Sequence, residues 1–270
     1  MKIKYGIDLG TTNSGIAKMN QGESFIVKNS HQKDTTPSCI SFSKNKGIRL
    51  GDPAYNQLKY DKLLSLKKDE YVSNCFIEFK RTMGSDKKYY SSYMDKDYNS
   101  EELSAEVLKD LKSSTQEDDL KSVVITIPAL FNQNQMTATI NAAKLAGIKQ
   151  VKLLMEPIAA AMAYGLDKKV SKGKILMFDF GGGTFDVCLL NVEDGNYQVE
   201  DTEGDMWLGG KNLDDAIVNE IFIPHLKKNY KIESFINDDV KNQKLRDALK
   251  VPAEQAKIEI SFADTCYVES

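Results

Sequence analysis

Two stretches of this chain place a carboxylate, glycine and a hydroxyl within a few residues of one another. The first is Asp179-Phe180-Gly181-Gly182-Gly183-Thr184, set between an apolar run at 175–178 and a second at 185–190 that Asp186 interrupts. Strand-like runs joined by a glycine-rich turn predict a β-hairpin. Three consecutive glycines exceed what a turn needs, and a backbone without side chains lets its N–H groups approach a ligand closely. A carboxylate at the mouth to hold a cation, with a threonine hydroxyl beside it, suits a phosphate carried with Mg²⁺. Taken by itself, the stretch reads equally well as a hairpin turn that happens to be glycine-rich. The second stretch, Tyr5-Gly6-Ile7-Asp8-Leu9-Gly10-Thr11-Thr12, repeats the order strand, Asp, Gly, Thr. A repeat of this kind predicts two related halves facing each other. Asp8 and Asp179 would then anchor a hydrated Mg²⁺, and the two loops would clamp one phosphate from both sides. Neither loop has the Gly-x-x-x-x-Gly-Lys-Ser/Thr spacing of a P-loop or the Gly-x-Gly-x-x-Gly of a dinucleotide fold.

The elements that must hold these loops follow from pattern. Residues 3–9 read as a strand and 14–19 as its hairpin partner, with a turn cluster at 34–38 and a strand at 40–42. Residues 61–68 and 87–98, rich in Lys with Asp or Tyr, read as the exposed part of a small subdomain. Tyr89, Tyr90, Tyr93 and Tyr98 could stack on bases, but without a basic excess they read as a solvated surface with partly buried rings. Residues 101–113 predict a helix with Leu103, Val107, Leu108 and Leu111 on one face. The β-branched run 123–127, closed by Pro128, predicts a buried strand. A helix over 133–146 ends at Gly147. Residues 152–155 are a short apolar stretch. Pro157 then opens an alanine-rich helix, for which Gly165 is the expected stop. Residues 171–174 read as a hinge, 197–203 as a further hairpin arm leading to Gly209-Gly210, and 213–230 as helix bent or interrupted by Pro224. The last helix covers about 239–260.

Bulk properties narrow the class. A chain of 270 residues, 41% apolar and 28% charged, is long enough for one large or two medium domains with a real core. A net charge of −3 offers no general attraction for nucleic acid. No apolar run reaches membrane-spanning length, and the N-terminus lacks a signal-peptide core. Cys39, Cys75, Cys188 and Cys266 form no Cys-x-x-Cys pair, so a reduced cytoplasm is the expected setting. With only His31 and His225 present, far apart, neither a histidine metal site nor a Ser-His-Asp triad is expected.

The pair of loops resembles the actin, hexokinase and heat-shock ATPase superfamily. Gly6–Ser14 (GIDLGTTNS), Glu156–Lys168 (EPIAAAMAYGLDK) and Asp179–Val187 (DFGGGTFDV) resemble the heat-shock protein 70 family of DnaK-type chaperones. The resemblance runs from residue 3 to about 262 and is weakest between 45 and 100. It implies an α/β actin-like ATPase fold with ribonuclease H-like duplicated domains: two lobes around a nucleotide cleft, incomplete at the C-terminus. The first lobe would be 1–170, with 1–38 and 100–170 inner and 39–99 outer. The second would be 171–270, with 171–208 inner and 209–270 outer. The implied activity is slow ATP hydrolysis driving a chaperone cycle, with ATP/ADP and Mg²⁺ as ligands. Gly10, Thr11, Thr12 and Asn13 would cradle the phosphate from one side, and Gly181, Gly182, Gly183 and Thr184 from the other. The family assigns Lys80 to the γ-phosphate and the attacking water; by itself Lys80 reads as a surface lysine. Glu156 matches the family's cleft carboxylate and also suits the N-terminal end of a helix. Asp186 is expected to hydrogen-bond the water network. Gly209-Gly210-Lys211, before a helix, can present N–H groups to an anion. Glu254, Lys257 and Ser261 match the ribose and adenine contacts, although Pro252 in the same helix predicts either a restart or displaced contacts.

Departures from the family bear on partners. Lys211 stands where the family has an acidic residue, and Trp207 where it usually has histidine. Nothing resembling the later glycine-rich adenine segment, the substrate-binding domain or the lid follows Gly210, so a fragment and a truncated form are both open. An exposed sheet edge is expected after 171–208. Pro128, a switch residue in the family, is kept. Gln133, Met136, Leu153, Met155 and Ile158 alter the surface where the interdomain linker and J-domain partners dock, so coupling to them is expected to be weak or lost. Unfolded client peptides and a nucleotide-exchange factor are the partners implied for a full-length protein. The alternatives are a relative that holds nucleotide without productive turnover, a filament former and a sugar kinase; for the last, no catalytic aspartate is assignable.

Overall fold

In the computed structural model the described residues are 3–45, 47–68, 70–115, 117, 120–168 and 171–268, with backbone alone at 166–168. The chain opens with β1 (Tyr5–Leu9), β2 (Asn13–Asn20) and β3 (Glu23–Ile26), followed by the short strands β4 (Thr36–Pro37), β5 (Ile40–Phe42) and β6 (Ile48–Leu50). Helix α1 (Asp52–Lys67), β7 (Cys75–Phe76) and a 3₁₀ turn at Phe79–Thr82 lead to the hairpin β8 (Tyr89–Ser91) and β9 (Lys96–Tyr98). Then come α2 (Ser100–Ser114), β10 (Ser122–Ile127), α3 (Gln133–Leu145), β11 (Gln150–Met155) and α4 (Glu156–Lys168). The second half holds the meander β12 (Lys172–Phe180), β13 (Phe185–Glu193) and β14 (Asn196–Asp205). It closes with α5 (Gly210–Ile217), a π turn at Val218–Phe222, α6 (Ile223–Asn229), α7 (Glu233–Ile236) and α8 (Asp239–Glu259).

These elements make a mixed α/β fold around two principal sheets. The first has the order β11-β10-β1-β2-β3, with β4 also on β2. Strand β1 is parallel to β10 and antiparallel to β2, and β10 is parallel to β11. Its core joins Ile7, Leu9, Ile16, Val123 and Ile125 to Leu103, Val107, Leu108 and Leu111 of α2 and Ala142 and Ala143 of α3. The expected α2 face is therefore the one buried. Both α2 and α3 start with a reciprocal capping box, Asn99 with Glu102 and Asn132 with Gln135, which satisfies two orphan N–H groups at each end. The second sheet is the antiparallel meander β12-β13-β14. Helix α4 lies against it, with Ala161 packing on Cys188 and Leu190, and also touches β10 and β11. It thereby ties the two sheets together.

Several local expectations are corrected. Residues 61–67 are the last turns of α1, which points Ala54, Leu58 and Asp61 inward, while Leu63, Lys67 and Lys68 are exposed as expected. A stripe that contains a carboxylate does not read as amphipathic. Asp61 is nevertheless buried and satisfied, accepting from Gln57 Nε2 (2.7 Å), Tyr71 Oη (2.8 Å) and Ser73 Oγ (2.7 Å). Gly165 lies inside α4 rather than ending it. A Cβ there would stand 1.9 Å from Tyr197 Oη, so the glycine admits the tyrosine. The expected hinge is already strand from Lys172 onward; residues 169 and 170 lie outside the described residues. Pro224 interrupts its helix through a π turn just before it, because a proline has no N–H for the preceding turn and its ring crowds the carbonyl four residues back. Pro252 does not break α8, which runs unbroken through it.

Among the described residues β12 pairs with β13 alone, leaving the expected open edge. Leu176, Phe178 and Phe180 on it are 56%, 64% and 50% exposed. No helix among the described residues is long and apolar enough to cross a membrane.

Candidate functional site

The two glycine–hydroxyl loops meet. The first follows β1, where Ser38 pins it: Ser38 Oγ donates to the Gly10 carbonyl at 2.8 Å, and Ser38 N–H to the Thr12 carbonyl at 2.8 Å. A Cβ on Gly10 would stand 2.0 Å from the Asn13 carbonyl oxygen, so the turn requires glycine. The second loop joins β12 to β13, with Asp179 opposite Asp186 and Phe180 opposite Phe185; Gly181 N–H closes it on the Thr184 carbonyl at 2.9 Å. A Cβ on Gly182 would stand 2.0 Å from Thr12 Oγ1, and one on Gly183 3.2 Å from Thr11 Cγ2. The bare backbone is what lets the loops approach this closely.

The third predicted loop supports the second. A Cβ on Gly209 would stand 2.5 Å from Gly183 N. The Gly210 and Lys211 amides were expected to face an anion. Here they donate to the carbonyls of Gly181 (2.9 Å) and Gly182 (3.0 Å). First-turn amides of a helix have no intrahelical acceptor, and the neighbouring glycine loop supplies one. Lys211 pairs with Glu78, on the 3₁₀-turn side of the cleft.

At the loop mouths, charged groups converge. Lys80 is buried, and its Nζ donates to Glu156 Oε1 at 2.8 Å while lying 5.7 Å from the centre of the Phe131 ring. Glu78, immediately before the 3₁₀ turn, has φ of 62°, a conformation seldom adopted without cause by a residue with a side chain; this kink turns Phe79 and Lys80 inward. Glu156 is the first residue of α4, so the helix dipole favours its charge. Burial raises its carboxyl nonetheless, with Lys80 opposing and Asp8 and Asp179 adding to the rise. Asp179 is raised by burial and then by Asp8. Asp186 is pushed up to about 6 by burial, then by Glu156 and Asp179. Asp8 Oδ1 accepts from Thr126 Oγ1 at 3.0 Å.

This arrangement fits a cation–phosphate ligand. Thr12 Oγ1 and Asp186 Oδ1 are buried without a hydrogen-bond partner among the described residues, a costly state that a phosphate with its ordered water would relieve. The mutual repulsion of Asp8, Asp179 and Glu156 is of the kind a cation relieves. The described residues contain no group of three or more His, Cys, Asp or Glu that could hold a metal. A Mg²⁺ here would therefore keep much of its water, as that ion does.

The outer residues are placed differently. Glu254 accepts from Tyr55 Oη across the cleft. Lys257 donates to the Gly210 carbonyl at 3.0 Å and pairs with Asp214. Ser261 is exposed and bonded back to the Lys257 carbonyl at 3.0 Å. Glu254 and Lys257 thus lie near the glycine loops, and Ser261 stands apart. A cavity of 130 Å³ runs from Thr11 and Thr12 past Tyr55, Glu78 and Lys211 to Glu254. Sequence reasoning missed Tyr55, Glu78, Thr126 and Phe131. Glu78 and Phe131 lie beside motifs already singled out, but only an unmotivated positive φ and a ring contact mark them.

Comparison with known proteins bears on all of these residues at once. The family model described as Hsp70 protein matches residues 4–269. The chain is 41% identical over 264 residues to the "Chaperone protein DnaK" of Mycoplasmopsis agalactiae, covering 96% of this chain and 41% of that protein. It is 42% identical over 260 residues to that of Thermosipho africanus, covering 95% and 40%. It is 37% identical over 286 residues to that of Cyanidium caldarium, covering 97% and 44%. The chain thus spans about two fifths of the length of the curated relatives it matches.

Proposed function

This chain belongs to the Hsp70 family, and on that premise we propose that it binds ATP as its Mg²⁺ complex between the two Asp-bearing loops and hydrolyses it to ADP and phosphate. The observation that carries the reading is the buried Lys80–Glu156 pair at 2.8 Å, set where both loops open. An isolated surface pair would mean little. A buried pair among three further carboxylates implies a site built to handle charge.

Phosphoryl transfer to water needs positioning and charge neutralisation more than covalent chemistry. Thr11, Thr12, Asn13 and the Gly10 backbone hold the phosphates from one side, and Gly181, Gly182, Gly183 and Thr184 from the other. Asp8 and Asp179 would hold a Mg²⁺ ion, which would supply neutralisation of the phosphate charge. One of the three Lys80 N–H donors is engaged by Glu156, leaving two for a terminal phosphate oxygen and the attacking water. Glu156 fixes that ammonium. Asp186, with its carboxyl near 6, is ionised at neutral pH and accepts hydrogen bonds from the attacking water.

In a protein of the relatives' length, this hydrolysis would time the binding and release of unfolded clients, with a nucleotide-exchange factor resetting the cycle. Coupling to J-domain partners is weak in this reading. Leu153 packs on the first core and Ile158 on the second, and with Met136 and Met155 they offer little polar surface to dock on. The lobe division at about 170, with 39–99 and 209–270 outermost, is supported by the small sheets β6-β5-β7 and β8-β9, which fall within 39–99. Free thiols at buried Cys39 and Cys188 suit a reducing cytoplasm.

A second reading, nucleotide held without turnover, is favoured by the partners already engaging Glu254 and Lys257. Calorimetric titration with Mg-ADP tests binding, and turnover of Lys80→Ala against the unaltered chain separates the two readings. Absence of Mg-ADP binding overturns both; binding with no turnover in the unaltered chain leaves the second.

A further inference from the structure

Next to Lys80 on the same 3₁₀ turn stands Arg81. Its Cδ and Nε lie 3.2 and 3.4 Å from where a Cβ of Gly183 would stand, a position that Thr11 Cγ2 approaches at 3.2 Å. The guanidinium therefore lies alongside both glycine–hydroxyl loops. Arg81 Nη1 meets Glu78 Oε2 at 3.3 Å. Glu78 also pairs with Lys211, so one carboxylate serves two cations. Arg81 Nε is buried and has no hydrogen-bond partner among the described residues. A guanidinium carries five donors in a fixed fork, and a buried donor without an acceptor is costly.

Beneath it lies Trp207, whose ring centre is 4.6 Å from Arg81 Cζ. Trp207 is 61% exposed, a poor place for a large apolar side chain unless its face is in use. The Trp207 backbone N–H donates to Asp205 Oδ1 at 2.7 Å, which fixes the chain, though not the ring itself, just past the end of β14. Arg81 belongs to the first half of the chain and Trp207 to the second. The stack therefore crosses the cleft, and its cation lies against the second loop.

We propose that Arg81 is a further phosphate-binding residue of this cleft and that Trp207 is its positioning residue; the assignment rests on the nucleotide reading above. An aromatic face holds a guanidinium without using its N–H groups, so Nε and the donors that Glu78 does not engage stay free for phosphate oxygens, to which the fork is geometrically matched.

The test is a double-mutant cycle on the full chain, read as Mg-ADP affinity by calorimetry. Arg81→Ala should weaken binding roughly ten- to a hundredfold, the usual range for a hydrogen bond to a charged group. Trp207→Ala should weaken it about two- to fivefold, and Trp207→Phe should recover most of that loss. In an Arg81→Ala background, Trp207→Ala should add nothing, because it acts through Arg81. A second readout uses Trp207 as the only tryptophan: Mg-ADP should change its emission in the unaltered chain, and not in Arg81→Ala at concentrations where calorimetry still shows binding. Two single losses that simply add, or an emission change that survives Arg81→Ala, would overturn the proposal while leaving the nucleotide reading intact. An unaltered chain that does not bind Mg-ADP overturns both.

Discussion

Lys80 and Glu156, 76 positions apart, meet at 2.8 Å inside the molecule. Lys80 comes from a 3₁₀ turn entered through the left-handed Glu78, and Glu156 from the first residue of α4. The contact therefore exists only if α1, β7 and the β10–α4 segment are all in place.

Lys80→Ala should lower ATP turnover about 10²–10³-fold, the range seen when one positioned electrostatic group is removed, while Mg-ADP affinity changes far less. Single-turnover measurement beside calorimetry checks this. Equal losses in both would mean that Lys80 serves binding alone.

Gly182→Ala should abolish Mg-ADP binding, because its methyl would fall 2.0 Å from Thr12 Oγ1 and force the loops apart. Gly6→Ala is the control, since a Cβ there meets nothing within 4 Å, and it should bind normally. A Gly182→Ala protein with unaltered affinity would show that the loops need not touch.

Asp186→Asn should stabilise the nucleotide-free protein and reduce turnover. The folded-state carboxyl lies near 6 against an ordinary 3.8, so its ionisation opposes folding. The advantage of asparagine is then full above about pH 6, shrinks as pH falls, and is gone below about 4. Its size at pH 8 should be roughly 1–2 kcal/mol, less than the whole shift because water reaches the cleft. Urea melts of both proteins at pH 8, 6 and 4 read this out; a gap independent of pH would refute it.

Pro252→Ala should stabilise α8 by about 1–3 kcal/mol, because proline both removes the hydrogen bond to the Ala248 carbonyl and crowds it. That corresponds to a rise in Tm of several degrees for a chain of this size. An unchanged or lowered Tm would show that the helix accommodates the ring without cost.

The two loops, the main strands and the α2 face were legible because each is local. A strand–Asp–Gly–Thr order, a stripe at Leu103, Val107, Leu108 and Leu111, or a proline-closed β-branched run declares itself within a few residues. Helix α1 was not legible, because one of its inward positions is Asp61, and only Gln57, Tyr71 and Ser73 make a carboxylate tolerable there. Gly165 reads as a helix stop from sequence because its reason, the hydroxyl of Tyr197, lies 32 residues further along the chain.

By itself, then, the amino-acid order determined which groups could do chemistry: two carboxylates beside two bare loops, and a lysine known only through resemblance. Tertiary structure decided which of them meet. It buried Lys80 against Glu156, turned the Gly210 and Lys211 amides onto the glycine loop, and laid Arg81 over Trp207. The reason is range. Backbone preference and hydrophobic period act over a turn or two. The pairing of buried charges and the close approach of glycine loops depend on neighbours that only the packed sheets bring within reach.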